Sequence, residues 1–335
     1  MKKIVIAGGS GFLGRTLVKW HSRLGNEIVV LSRNGQPIPG ARVVKWDGKT
    51  LDENWREELI GATAVINLAG RSVNCRYSKE NRKELWESRI RTTHLIAKAI
   101  KQCPNPPGVW LNSSTATIYK HTYDAAHAEA DGIIGATPEA KDAFSVRLAQ
   151  DWENEFNAAD TPDTRKITLR TAMVFGNEPG GVYETLRKLT LSGLGGKMGH
   201  GRQYVSWVHA DDFCRCVDWL IASPSSEGIY NISSPSPISN RNMMQTLRNV
   251  LKVPFGLPAT RWMLEIGAFL MRTETELIIK SRRVIPERIL GEGFTFNYIL
   301  LDKAIDSLES GATLQPVPVK RERRKRRLRQ NVEIV

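Results

Sequence analysis

A short apolar, β-branched run, Ile4-Val5-Ile6-Ala7, leads directly into Gly8-Gly9-Ser10-Gly11-Phe12-Leu13-Gly14, and an amphipathic stretch continues from Phe12 to Leu24. That order constrains the fold more than any other feature of the chain. A buried strand that turns at once into a helix needs residues without a Cβ where the backbone reverses and where helix and strand touch. Glycines at 8, 11 and 14 meet that need. The turn also leaves free backbone N–H groups at a helix N-terminus, where a pyrophosphate is held well. Gly8, Gly9, Ser10, Gly11, Phe12, Leu13 and Gly14 are therefore expected to cradle a dinucleotide.

The same alternation runs through the first half. Ile28–Leu31, Val43-Val44, Ala64–Leu68 and Val109–Leu111 are short apolar runs, with amphipathic stretches between several of them, notably Lys79 to Ile100. A further helix is expected around Ala143 to Phe156 and a strand from Ile167 to Arg170. Strand and helix in repetition predict a parallel sheet covered on both faces, the Rossmann-type doubly wound α/β fold.

After about Phe175 the pattern changes: glycines crowd positions 193, 195, 196, 199 and 201, and prolines at 224, 235, 237, 254 and 258 punctuate shorter elements. This predicts a smaller C-terminal α+β substrate lobe. The expected division is a cofactor domain over 1–175 with a return of chain from about 203–232, the second lobe over 176–310, and a tail over 311–335. Met263 to Met271 reads as a helix face packed on the cofactor lobe.

The formal charge is +13, and Lys320–Arg329, with eight Lys/Arg against one Glu, supplies +7 of it. The body is thus mildly basic, which suits an anionic ligand. The basic run has no aromatic for base stacking, so no sequence-specific nucleic-acid partner is expected, although contact with anionic surfaces is open to it. Four cysteines without disulfide or zinc spacing predict a reduced, cytoplasmic setting and no metal. The chain shows no apolar run long enough to span a bilayer, and Lys2-Lys3 is followed by too short an apolar run for a signal peptide.

The end of the second strand bears on which dinucleotide binds. A carboxylate there holds the ribose 2′-OH of NAD, whereas this chain has Ser32-Arg33, a hydroxyl and a guanidinium suited to a phosphate monoester. NADP is expected in preference to NAD. Asp47 reads either as a cap for the adenine amino group or as a turn residue.

The spacing of Gly8, Gly11 and Gly14, with Asn67-Leu68-Ala69-Gly70 after the fourth strand, resembles the extended short-chain dehydrogenase/reductase superfamily. Arg76-Tyr77-Ser78, Glu87-Ser88-Arg89, Gly193–Gly196, Gly201-Arg202-Gln203 with Ser206–His209, and Ser281–Pro286 leading to Gly293–Phe296 resemble one atypical subgroup. This is the NAD(P)-dependent epimerase/dehydratase-like, epimerase-family subgroup with a short C-terminal domain of unknown function. The resemblance implies cofactor contacts from Leu68, Ala69, Gly70, Arg89 and Val174. It also implies a small-molecule substrate, and it is compatible with a homodimer.

Reductases and epimerases of that superfamily exchange a proton through a Tyr whose pKa is lowered by a Lys four residues on. The pair is absent: none of the seven tyrosines has Lys four residues later, and Ser145 and Ala149 occupy the matching helix positions. Ser113–Tyr119 resembles the strand-end segment that polarises the substrate oxygen, which places Thr115 at the hydroxyl position with Ser114 beside it. Tyr119 is the first candidate for the proton, with Tyr123, His121 and Tyr183 behind it. Arg89 stands where the superfamily has Asn, either gripping the nicotinamide ribose or a substrate anion, or paired with Glu87 or Asp151. Lys197, His200 and Arg202 in the glycine-rich loop are expected to embrace an anionic substrate, and Asp211 and Asp212 to cap a helix. Two functions follow. One is an NADP-dependent oxidoreductase or epimerase-like enzyme acting on a small, anionic substrate. The other, supported by the missing Tyr and Lys, is a catalytically weak NADP-binding sensor or partner protein, which the resemblance to some relatives would link to cell or organelle division.

Overall fold

The computed structural model describes residues 1–270 and 274–312. The basic run 320–329 and Met271 lie outside the described residues. The first half of the chain forms β1 (Lys3–Ala7), α1 (Phe12–Arg23), β2 (Glu27–Ser32), β3 (Arg42–Lys45), α2 (Glu53–Arg56), β4 (Ala64–Asn67), α3 (Lys79–Lys101), β5 (Val109–Thr115), α4 (Ala143–Ala158) and β6 (Arg165–Thr171). There follow β7 (Met173–Phe175), α5 (Val182–Leu189), β8 (Tyr204–Val205), β9 (Trp207–His209), α6 (Ala210–Ala222), β10 (Gly228–Ile232), β11 (Ile238–Ser239) and α7 (Asn240–Val250). The last helices are α8 (Arg261–Leu270), α9 (Glu276–Ile279), α10 (Glu287–Gly291) and α11 (Leu301–Ser310).

Seven strands make one parallel sheet in the order β3-β2-β1-β4-β5-β6-β10. This is the doubly wound sheet that the alternation predicts. Its strands read as continuous apolar runs because both faces are covered. Along β1 the two-residue period of a strand sends Ile4 and Ile6 to a core shared with α1 and α6, and Val5 and Ala7 to one shared with α3. The chain returns to this sheet late: α6 packs against α1 and β10 pairs with β6 as the outermost strand.

A third core, built around Phe175, Leu186, Met198, Trp207, Met243, Leu247 and Ile305, joins α5, α7 and α11 beyond the C-terminal ends of the strands. Asp212, at the start of α6, is fully buried. Besides lying in the first turn, it accepts from the backbone N–H of Asn297 and Tyr298 and pairs with Arg215, so it fastens the C-terminal segment to the sheet layer.

Helix α8 departs from expectation. Among its described side chains only Leu264 and Ala268, spaced i and i+4, are buried, and Leu264 enters the third core rather than either core of the seven-stranded sheet. Trp262 and Phe269 are 64% and 69% exposed, and Met263 and Ile266 also face solvent. The apolar residues encircle the helix, and among the described residues one narrow stripe of them is covered.

Candidate functional site

The glycine turn is built as its spacing requires. Gly8 adopts φ +76°, and a Cβ on it would lie 2.8 Å from Ala69 Cα, because the loop after β4 runs across it. A Cβ on Gly14 would lie 2.3 Å from Gly9 Cα, so α1 meets the turn at a distance only glycine allows. A Cβ on Gly11, by contrast, would meet nothing nearer than Gly8 O at 3.8 Å, which leaves the cradle open on that side. Helix α1 has no side-chain cap and no acidic residue in its first turn. Its N-terminal N–H groups are thus left for an anion. Phe12 lies against Gly181 and Gly176, while Leu13 packs on the core.

At the end of β2, Ser32 is buried and Arg33 is exposed just beyond it. Asp47 is engaged in its own turn: Oδ1 accepts from the N–H groups of Lys49 and Thr50 at 2.7 and 2.8 Å, and Oδ2 accepts from Thr50 Oγ1 at 2.7 Å. Those bonds hold its carboxyl below the ordinary range. Beyond β4, Leu68, Ala69 and Gly70 are fixed by a buried amide network. Asn67 Oδ1 accepts from Ala69 N–H, and Asn67 Nδ2 donates to Asn112 and Thr93, the latter also accepting from Trp152 Nε1.

Arg89 lies across Gly70, where a Cβ would come within 3.1 Å of its guanidinium carbon. It donates to the carbonyls of Leu85 and Arg71 and stacks over Trp152. Glu87 pairs instead with Arg91, and Asp151 with Arg147. Burial brings the Arg89 pKa down to about 10, which leaves it cationic at neutral pH. Val174 is buried on β7, and its neighbour Met173 reaches the central cleft.

That cleft, of about 420 Å³, opens at the C-terminal ends of β5 and β6. Its walls are largely apolar, with Met173, Val182, Leu186, Met198, Val205 and Met243 among them, and its ionisable groups among the described residues are Glu274 and Arg282. Thr115 and Thr117 line it from the end of β5. Thr115 Oγ1 accepts from Thr117 N–H at 3.1 Å, which leaves its own proton to donate elsewhere. Thr117 Oγ1 accepts from Arg282 Nε at 3.0 Å.

Several expected proton carriers are elsewhere. Tyr119 is 1% exposed, stacked on His127, and its hydroxyl bonds Asn231 and Arg170. Burial raises its pKa, and it does not reach the cleft. Ser114 donates to Glu153, which also pairs with Arg170 through two bonds, so it belongs to that buried network. Tyr183 donates to Glu309, and His121 accepts from Ser281 N–H. Tyr123 bonds Glu139 and His200. It lines a separate surface cleft with Arg202 and Arg241. The cations of the 193–202 loop therefore face that outer surface rather than the central cleft; Lys197 and His200 are exposed, and it is Met198 that turns inward.

The position matching the missing tyrosine is filled in another way. Ser145 donates to Glu276, and the Tyr77 hydroxyl lies 3.3 Å from both Ser145 Oγ and Glu276 Oε1. Burial raises the Glu276 and Tyr77 pKa values. Beside them Lys280 and Asp142 form a fully buried ion pair, Lys280 also donating to Thr117 O at 2.5 Å. Tyr77 and Arg282 lie within two of the motif segments, but Glu276, Lys280 and Asp142 carry no local signal. They meet only through contacts more than a hundred residues apart for most pairs.

A glycine cradle at the C-terminal edge of a doubly wound sheet, with a cleft beside it, defines an NAD(P)-binding Rossmann protein of the extended short-chain dehydrogenase kind. Residues 4–233 match the NAD dependent epimerase/dehydratase family, and residues 259–308 match a domain of unknown function, DUF1731. The chain belongs to that epimerase/dehydratase family. It is 28% identical over 311 residues to the human epimerase family protein SDR39U1, covering 91% of this chain and 99% of that one. It is 29% identical to an epimerase family protein of Staphylococcus saprophyticus, covering 92% and 99%. The crystal structure of human SDR39U1 (isoform 2) with NADPH aligns at a TM-score of 0.78 with 25% identity, covering 92% of this chain and 99% of that one. The Bordetella bronchiseptica enzyme WbmG in complex with NAD shares the fold at 0.71 and 18% identity, covering 92% and 93%.

Proposed function

We propose that the protein is an NADP(H)-dependent, epimerase-like oxidoreductase acting on a small molecule in the central cleft. The observation that carries the cofactor choice is Arg33, exposed directly after buried Ser32 at the end of β2, where NAD sites place a carboxylate. The nicotinamide nucleotide, when bound, supplies or accepts a hydride. The backbone of Gly8–Gly14 holds its pyrophosphate, Ser32 and Arg33 hold the 2′-phosphate, and the Asp47 turn borders the adenine. Leu68, Ala69, Gly70 and Arg89 flank the nicotinamide ribose, with Val174 backing that end. Thr115 donates a hydrogen bond to the reacting oxygen, an assignment supported by the Thr117 N–H that occupies its lone pair. Ser114 supports the strand end from below.

Charge reversal at Arg33 tests this reading. Arg33→Asp should weaken NADPH binding about 100-fold, the ~2.7 kcal/mol of a charge-assisted phosphate contact plus repulsion, and leave NADH within a few fold. Fluorescence titration with both nucleotides reads it, and unchanged NADPH affinity overturns the assignment. The second reading, a weakly catalytic NADP-binding sensor, is favoured by Ala149, buried at the place of the missing lysine. Carbonyl-dependent NADPH oxidation that Thr115→Ala abolishes would exclude it.

A further inference from the structure

The central cleft is poorly matched to a nucleotide-linked sugar. A nucleoside diphosphate brings two or more negative charges and a rim of hydroxyls, which need several cations and donors. Among the described residues the cleft offers one cation, Arg282, and its one carboxylate, Glu274, already accepts from Tyr77 N–H at 2.7 Å and pairs with Arg76. Asn74, Thr115, Thr117, Thr171, Thr185, Ser206 and Asn240 also reach the cleft, Ser206 and Asn240 being bound to backbone groups, but thioethers and aliphatic chains from β7, α5, α7 and the 193–202 loop make up most of the wall.

Arg282 is the informative residue. Two of its donors are fixed, Nε on Thr117 Oγ1 and Nη1 on the Leu277 carbonyl at 3.1 Å. Among the described residues no carboxylate lies within ion-pair distance of it; Glu276 and Asp142 act on it only from farther off, and the half-buried guanidinium opens into the cleft. A partly desolvated cation without a carboxylate in contact is costly, and an anionic ligand relieves that cost. The Arg282–Thr117–Thr115 chain of hydrogen bonds also places the anion subsite two bonds from the hydroxyl assigned to the reacting oxygen.

We propose that the cleft takes an apolar monocarboxylate, its head on Arg282 beside Thr115 and its chain along Leu186, Leu189, Met198 and Met243. The reacting oxygen of the substrate then lies a few atoms from the carboxylate, as in a keto or hydroxy acid with an aliphatic body. This placement of the oxygen rests on the nicotinamide-dependent reading above, whereas the carboxylate subsite does not.

Calorimetric titration of the full chain, with and without saturating NADPH, tests the proposal, using hexanoate, octanoate, decanoate, 1-decanol and UDP as probes. Decanoate should bind one site, with affinity rising about three- to fourfold per methylene from hexanoate. Arg282→Gln should weaken decanoate at least tenfold while 1-decanol changes less than threefold and NADPH is unaffected. Leu186→Trp, which fills the far end, should remove decanoate more than hexanoate. Any binding that survives Leu186→Trp unchanged belongs to the exposed face of α8 and overturns the proposal. So does UDP binding more tightly than decanoate, or affinity independent of chain length. The chain-length series uses the unaltered protein and decides the matter even where a variant fails to fold. Failure of NADPH to bind, with decanoate still bound through Arg282, would remove the enzyme reading and leave the carboxylate site. NADPH binding without decanoate does the reverse.

Discussion

Replacing Asp142 by Asn should expose how the segment from α9 to Arg282 is held to the sheet. Lys280 and Asp142 both have side chains closed to solvent, and Lys280 also donates to Thr117 O on the strand-end turn that carries Thr115. The pair thereby ties the segment bearing Arg282 to the start of α4. Removing one partner of such a pair costs about 3–5 kcal/mol because a charge is left buried alone. The low end, about 3 kcal/mol, is expected here. Burial has already brought Lys280 down to about 8, so the stranded ammonium can shed its proton near neutral pH at ~1.4 kcal/mol per unit. Lysine in the unfolded chain titrates near 10.5, so between pH 8 and 10.5 the unfolded state binds more protons and stability rises with pH. In Asp142→Asn that rising limb should begin below pH 7, and in Lys280→Met it should vanish. Urea unfolding followed by tryptophan fluorescence measures both effects. The double variant Asp142→Leu/Lys280→Met should recover most of the loss. A single variant within 1 kcal/mol of the parent, or a double variant no better than Asp142→Asn, would refute the reasoning.

Gly14→Ala places a methyl 2.3 Å from Gly9 Cα and should lower both stability and NADPH affinity at least tenfold, whereas Gly11→Ala, facing open space, should keep the parent melting temperature; equal melting temperatures for the two would contradict the packing assigned to Gly14. His209 accepts from Asp211 N–H, and its burial lowers its pKa to about 3. With a folded value below the unfolded 6.5, it contributes stability that is present above pH 6.5 and lost as pH falls toward 3, up to ~4–5 kcal/mol. His209→Asn, which keeps the acceptor, should flatten that acid limb in urea titrations at successive pH values, and an unaltered slope would show that other groups set it. Trp262→Ser and Phe269→Ser should change unfolding free energy by less than about 0.5 kcal/mol, since both side chains stand in solvent; losses above 1 kcal/mol would mean that this face of α8 is packed.

Local physics made much of this molecule readable from its residues. The period of apolar positions specifies the strands and helices of a parallel sheet, because buried strands must be apolar on both faces and helices on one. The glycines at 8 and 14 are dictated by positive φ and by contact distance, which only that residue satisfies. Ser32-Arg33 and Thr115 are legible as strand-end positions, since the apolar runs of β2 and β5 stop at them; the cofactor and substrate roles given to them above are proposals. What the sequence leaves open is which distant side chains converge. Tyr119 reads as a free phenol next to Thr115, yet Arg170 and Asn231, brought in by β6 and β10, draw it into the core. The cations of the 193–202 loop read as a substrate grip, yet the pairing of that loop with Leu257 and Ala259 turns Met198 inward and leaves the cations outside. Arg282, Glu276 and Lys280 meet the ends of β5 and α4 only because α9 and the segment after it fold back across more than a hundred residues. Burial and charge pairing are properties of the assembled neighbourhood, and no local pattern encodes them.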